Sequence, residues 1–200
     1  MVQDSFEVVY LTGSPATGKS SLTQYLQQRE RALKVFTYSK LLADHIAQRE
    51  AASVTENQLR ERSSLLVTRE DVATVDAELI KAVQSTRRTS HVIIDSHAVT
   101  KEKYGFRVTP FSLEKLRLLN PTMIVDLFAD SSVVLDRIRQ NSQGRPMVSS
   151  FEANFHTDLQ ATVALIYAIE LDIPIYFIDS SGTIEDIAET VLARMKLRRE

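Results

Sequence analysis

Short apolar runs alternate with stretches whose apolar residues recur at helical spacing. Phe6–Leu11, Leu33–Tyr38, His91–Asp95, Thr122–Phe128 and Ile173–Ile178 are mostly apolar and rich in β-formers, which predicts strands covered on both faces. Helical spacing follows each run. Leu22, Tyr25 and Leu26 stripe the first helix, and a second is expected over Lys40–Arg49. Thr55-Glu56-Asn57-Gln58 fits a capping box that opens a long helical stretch towards Arg87. Pro110 suits the first turn of a short helix through Leu118. Val133, Val134 and Ile138 give the next helix its apolar face. A long helix is expected over Ser150–Leu171, and Ile184, Ile187, Val191, Leu192 and Met195 stripe a closing one. Strands that alternate with helices in this way predict an α/β fold, a three-layer α/β/α sandwich around a five-stranded parallel sheet with right-handed crossovers. Two hundred residues without a visible linker or repeat read as a single domain over 1–200.

The turn after the first run carries the chemistry. Gly13-Ser14-Pro15-Ala16-Thr17-Gly18-Lys19-Ser20 matches G-x-x-x-x-G-K-[ST], the phosphate-binding P-loop, and stands between a strand and a helix as that motif requires. Such a turn aims backbone N–H groups at one point, and the helix dipole adds to their attraction for a polyphosphate. Gly13 to Ser20, with Ser21 beside them, are therefore expected to bind ATP. Lys19 would reach the β/γ-phosphates, and the Ser20 hydroxyl would ligate Mg²⁺.

Two further signals agree. Asp95 ends the apolar strand Val92-Ile93-Ile94, the place of a carboxylate that orients Mg²⁺ in a Walker B element, although an Asp at a strand end is also a common turn residue. His97 lies at the same crevice edge and reads either as a substrate contact or as a structural histidine. Arg137-Ile138-Arg139 to Gly144-Arg145-Pro146 is a helix end running into an arginine-bearing loop. Arg137 and Arg145 can neutralise a moving phosphoryl group from a lid over about 139–149; the competing reading is a solvated helix terminus, which suits Arg139.

Composition narrows the class. Hydrophobic residues make up 44% and charged residues 25%, a globular balance, and the net charge of −2 gives no support for bulk nucleic-acid or membrane affinity. The most apolar stretch, Ala161–Ile178, is broken by Glu170, Asp172 and Pro174, so no membrane span is expected. Met1-Val2-Gln3-Asp4 lacks the form of a signal peptide, and zero cysteines fit a reducing cytoplasm.

The P-loop, Asp95-Ser96-His97, the Tyr104-Gly105-Phe106 to Pro110 loop and the short arginine lid together resemble archaeal-type adenylate kinases, nucleoside monophosphate kinases of the P-loop superfamily. The resemblance runs loosely over nearly the whole chain and is specific at the P-loop and Asp-Ser-His. It implies ATP and Mg²⁺ as donor and cofactor and a small acceptor such as AMP. By that resemblance Ser39, Arg60, His97 and Tyr104 fall near the acceptor, with Arg60 on its phosphate. Arg137 and Arg145 become lid arginines, and Asp179 to Gly182 pass near the adenine. The acceptor loop departs from the family's Gly-Tyr-Leu-Pro-Gly-Leu-Pro-like run: it is shorter and adds Arg107. Two other activities fit the same residues. One is a kinase for a hydroxyl on a nucleoside, a sugar or a polynucleotide end, with Asp95 as base. The other is a regulatory module that hydrolyses ATP slowly. Oligomeric state is not legible in the sequence.

Overall fold

The computed structural model describes residues 6–50, 66–102, 104–141 and 148–195. In chain order these form β1 (Val8–Gly13), α1 (Lys19–Arg29), β2 (Leu33–Thr37), α2 (Tyr38–Glu50), α3 (Arg69–Thr86), β3 (His91–Asp95), β4 (Val99–Glu102), β5 (Gly105–Val108), α4 (Leu113–Leu119), β6 (Met123–Phe128), α5 (Ser131–Gln140), α6 (Ser150–Leu171), β7 (Ile175–Asp179) and α7 (Ile184–Arg194). The five strands of the main sheet are parallel in the order β2-β3-β1-β6-β7, with helices on both faces, as the alternating pattern predicts.

Period-two alternation divides the core. Val9 and Leu11 of β1 join Ile93, Val125, Leu127, Leu22, Leu26 and Val191 on the α1/α7 face. Val8 and Tyr10 join Val92, Ile94, Ile124, Leu79, Leu116 and Tyr167 on the face covered by α3, α4 and α6. Register then aligns the strand ends. Leu11 and Thr37 both lie opposite Asp95, and Gly13 lies opposite Leu127. The loops that leave β1, β2, β3, β6 and β7 therefore open at one edge, where a doubly wound sheet holds its ligands.

Three expectations need correction. The helical stretch drawn continuously towards Arg87 breaks at Val67-Thr68, and α3 starts only at Arg69. Its start is fixed by a capping box of its own: Asp71 N donates to Thr68 Oγ1 at 3.1 Å and Thr68 N donates to Asp71 Oδ2 at 2.8 Å. The Thr55–Gln58 capping box lies outside the described residues. Pro110 does not open α4. The Phe111 N–H is spent on the Tyr167 hydroxyl at 2.9 Å, and Ser112 caps the helix from Leu113 onward. The run from Tyr104 to Pro110 is not a simple loop either, because β5 pairs antiparallel with β4, from Val99 opposite Val108 to Glu102 opposite Gly105.

Candidate active site

The phosphate loop is built by backbone geometry. Gly13 has φ 141°, and a Cβ there would stand 2.4 Å from the Leu127 carbonyl oxygen, so only glycine lets β1 turn beneath β6. Ala16 (φ 64°) and Gly18 (φ 90°) take left-handed conformations. Thr17 Oγ1 donates to Ser14 O at 2.8 Å and ties the loop across. Gly18 is the N-cap of α1 and supplies no side-chain cap, and the first turn carries no acid. The leading N–H groups of α1 are thereby left for an anion. Lys19 Nζ donates to Gly13 O at 2.6 Å and to Ser14 O at 3.0 Å, lying back along the loop it would serve.

A cavity of about 650 Å³ surrounds this loop, within the usual range for a small-molecule site. Ser14, Pro15, Ala16, Thr17, Gly18, Lys19, Ser20 and Ser21 line it, together with Ser39, Asp95, His97, Arg137 and Gly182. Strand order puts these residues on two sides of β1. Ser39, Asp95 and His97 follow β2 and β3; Arg137 and Gly182 follow β6 and β7. Arg137 braces the second side, with Nη1 donating to Ala16 O at 3.2 Å and Nη2 to Ser180 O at 2.6 Å.

Other expected residues lie elsewhere. Gly13 stands behind the loop as a backbone pivot. Tyr104 is 73% exposed at the hairpin turn and does not line the cavity. Asp179 is also off the cavity wall; its carboxylate accepts from Ser181 N at 2.8 Å, which holds it low in its titration range. Arg60 and Arg145, and most of the expected lid, lie outside the described residues.

The structure adds residues that the sequence reading did not single out, beside Arg107 of the expected acceptor loop. The β4–β5 hairpin carries Lys101 and Arg107 to the cavity. Lys101 Nζ pairs with Glu152 at 3.2 Å and Arg107 with Glu102 at 3.2 Å. Asp76 on α3 lines the cavity beside Tyr38, whose hydroxyl donates to Asp76 Oδ1 at 2.8 Å, while Lys115 Nζ donates to Oδ2 at 2.6 Å. Behind the loop, Asp126 of β6 is buried next to Thr12. Burial pushes its carboxyl up to about 7, against the nearby charge of Lys19, which draws it down. His156 of α6 is buried too and pushed down to about 4, chiefly by desolvation; its Nε2–H donates to Val99 O at 3.1 Å.

A protein-family model described as an AAA domain matches residues 12–153, from the P-loop strand into α6. The chain belongs to that family. Adenylate kinases of Pyrococcus abyssi and Pyrococcus furiosus are each 26% identical to it over 175 and 176 residues, covering 86% of this chain and 86% of theirs. Among solved structures, the Deinococcus radiodurans tunicamycin resistance protein superposes with a TM-score of 0.56 at 15% identity, over 96% of this chain and 97% of that one. Shikimate kinase from Bacteroides thetaiotaomicron gives 0.53 at 16% identity, over 96% and 99%. These structures share the fold. This member of the AAA domain family is a P-loop phosphotransferase, in line with the resemblance carried by its P-loop and Asp95-Ser96-His97.

Proposed function

We propose that the protein transfers the γ-phosphoryl group of ATP to a small acceptor, a nucleoside monophosphate such as AMP. One observation carries this reading: a single cavity extends to both sides of the phosphate loop. A simple ATPase needs only one side. The β6/β7 side, with Arg137 and Gly182, takes the donor nucleotide; the β2/β3 side, with Ser39, Tyr38, His97 and the hairpin cations, takes the acceptor. Adenylate kinase is also the name of the archaeal relatives.

The loop N–H groups and Lys19 hold the β- and γ-phosphates, so that Lys19 exchanges two carbonyl partners for phosphate oxygens. Among the described residues no cluster of three His, Cys, Asp or Glu side chains could hold a metal by itself. One hydroxyl and one carboxylate, Ser20 and Asp95, are hard oxygen donors of the kind that suits Mg²⁺, an ion that keeps waters and takes its other ligands from phosphate. Mg²⁺ held by these two residues would offset phosphate charge. Arg137 and, from its loop, Arg145 cover the moving phosphoryl group, and Arg60 meets the acceptor phosphate. Lys101 and Arg107 add positive charge on the acceptor side, where two anions must approach each other. An acceptor phosphate oxygen is already a competent nucleophile, so no separate base is needed. Tyr104 reaches an acceptor only if the hairpin closes. No helix among the described residues is long and apolar enough to cross a membrane. A kinase drawing on ATP and free nucleotides works in the cytoplasm, where we place this one.

An ATP-dependent screen of nucleoside monophosphates, nucleosides, sugars and RNA 5′ ends, with water as the control acceptor, tests this. Transfer to a monophosphate is the expected result. Transfer to a hydroxyl alone moves Asp95 into the role of base, and ATP loss to water alone ends the kinase reading.

A further inference from the structure

Helix α6 is 22 residues long, about 33 Å at 1.5 Å per residue. It is apolar on two opposite faces. Its inward face buries Ala164, Tyr167 and Ala168 against the sheet and Ala153 against α5. At about 100° per residue, Phe151, Phe155, Asp158, Thr162, Leu165, Ile166 and Ile169 all fall within about 60° of one line on the opposite side. Phe151 is 75% exposed and Ile169 70%, with Phe155, Leu165 and Ile166 also open. The outward positions of α2 include Lys40, Asp44 and Gln48, and those of α7 include Glu185, Asp186 and Thr190, the polar faces that water requires. A helix whose outward face is also apolar towards both ends presents surface that another body can cover.

We propose that a second copy of this chain covers the stripe, with α6 packed antiparallel on α6 of the partner about a two-fold axis level with residue 160. The stripe reads nearly the same in both directions: two apolar positions, a short polar centre, then apolar positions again. Antiparallel pairing about residue 160 sets Phe151 against the partner's Ile169 and Phe155 against the partner's Leu165. Asp158 then meets the partner's Thr162, whose hydroxyl can donate to the carboxylate. Each pairing occurs twice, as a two-fold interface demands.

The ends fit as knob and hole. A shallow groove beside the end of α6 is lined by Leu165, Ile169, Ile173, Pro174 and Ile175. The most exposed ring of the stripe, Phe151 of the partner subunit, falls at that groove. Phe151 stacks on Phe155 with centroids 6.0 Å apart, and Phe106 meets Phe155 edge-on at 5.3 Å, so the knob is held in place by other rings. The open apolar area is about 500 Å² per copy, hence about 1,000 Å² for two, at the lower bound for a specific interface. Charge argues against a lipid surface. The helix carries Glu152, Asp158 and Glu170 and neither Lys nor Arg, whereas interfacial helices flank their apolar face with cations.

Sedimentation or light scattering on the full chain tests the proposal. The wild type should run at twice the mass of one chain. Ile169→Glu and Phe151→Lys should each weaken self-association by at least ~30-fold, the scale of a central interface residue. The same two substitutions combined in one chain face each other with opposite charge and should restore the dimer. Because the chain has no native cysteine, Asp158→Cys and Thr162→Cys give a clean register test. Mixed or combined they should cross-link on oxidation, and either alone should not. A wild type that stays monomeric at ~100 μM, a concentration far above that of a specific dimer's Kd, overturns the proposal. So does a dimer that survives Ile169→Glu, or one in which the cysteine pair fails to cross-link. None of these outcomes depends on which acceptor the enzyme uses.

Discussion

The side-chain amide of Gln160 donates to the Thr12 hydroxyl at 2.8 Å and so joins the middle of α6 to the strand that enters the phosphate loop. Its Oε1 accepts from the N–H groups of both Ala98 and Val99 at 3.1 Å. One buried side chain thereby fixes β1, the turn after Asp95-Ser96-His97 and the start of the hairpin that carries Lys101 and Arg107. The two backbone donors also fix which end of the amide is oxygen.

Replacing Gln160 by Leu keeps the bulk and strands two buried N–H groups and a hydroxyl. A loss of about 2–4 kcal/mol is expected, since unmade hydrogen bonds cost more than made ones contribute. Urea unfolding measures it. A loss under half a kcal/mol would mean that water or a shifted backbone replaces the amide.

Lys19→Ala should leave the fold intact and cut phosphoryl transfer by at least ~100-fold, the scale of one preorganised electrostatic contact. Nζ donates to the Gly13 and Ser14 carbonyl oxygens of its own loop, so its loss should leave the core packing and a cooperative melt in place. Near-normal turnover by the folded variant would remove the loop from the active site.

Much of this was legible in the sequence because buried parallel strands run continuously apolar and helices announce themselves by period. The expected Ser150–Leu171 helix is α6 to the residue, opened by Ser149 and Glu152 in a capping box. The hairpin was not legible: Val99–Glu102 and Gly105–Val108 are four residues each, too short for alternation to stand out. Asp126 was hidden for another reason. Its run reads as a strand whatever the carboxylate does, and only the pairing of Asp126 with Thr12 places it behind the loop. His156 and Gln160 did leave a signal, two polar residues on the helix face that also carries Ala153 and Ala164. Sequence spacing can flag such a pair, but tertiary contact alone says which backbone groups it serves.

Gly13→Ala and Gly182→Ala form a contrast. The first puts a methyl 2.4 Å from the Leu127 oxygen at φ 141°, whereas a Cβ at Gly182 meets nothing within 4 Å. Gly13→Ala should cost about 1–3 kcal/mol and abolish nucleotide binding, because the loop amides turn away from their common focus. Gly182→Ala should be close to neutral in stability. Calorimetric titration with ATP beside thermal melts separates the two, and equal behaviour would show that β1 and β6 part easily.

Asp126 gives a pH dependence whose sign can be worked out. Its folded carboxyl is pushed up to about 7 from an ordinary value of 3.8, chiefly by burial. The folded state therefore prefers the proton, and the stability so gained is complete below about 4 and lost as pH rises through 7. Asp126→Asn removes that loss while keeping the shape. The variant should match wild type near pH 4 and exceed it at pH 8 by a few kcal/mol, about 1.4 for each pH unit between the two titrations. His156 works in the opposite direction: pushed down to about 4, chiefly by desolvation, it stabilises above its unfolded pKa and loses that as pH falls towards 4. It does so in wild type and variant alike, so the difference between the two curves isolates Asp126. Lys19→Ala should lift the Asp126 titration further, because the Lys19 charge is what draws it down. Denaturant unfolding at half-unit steps from pH 4 to pH 8 reads all three. A difference between Asp126→Asn and wild type that stays flat across this range would mean that Asp126 titrates at its unfolded value and that the space behind the phosphate loop is wet.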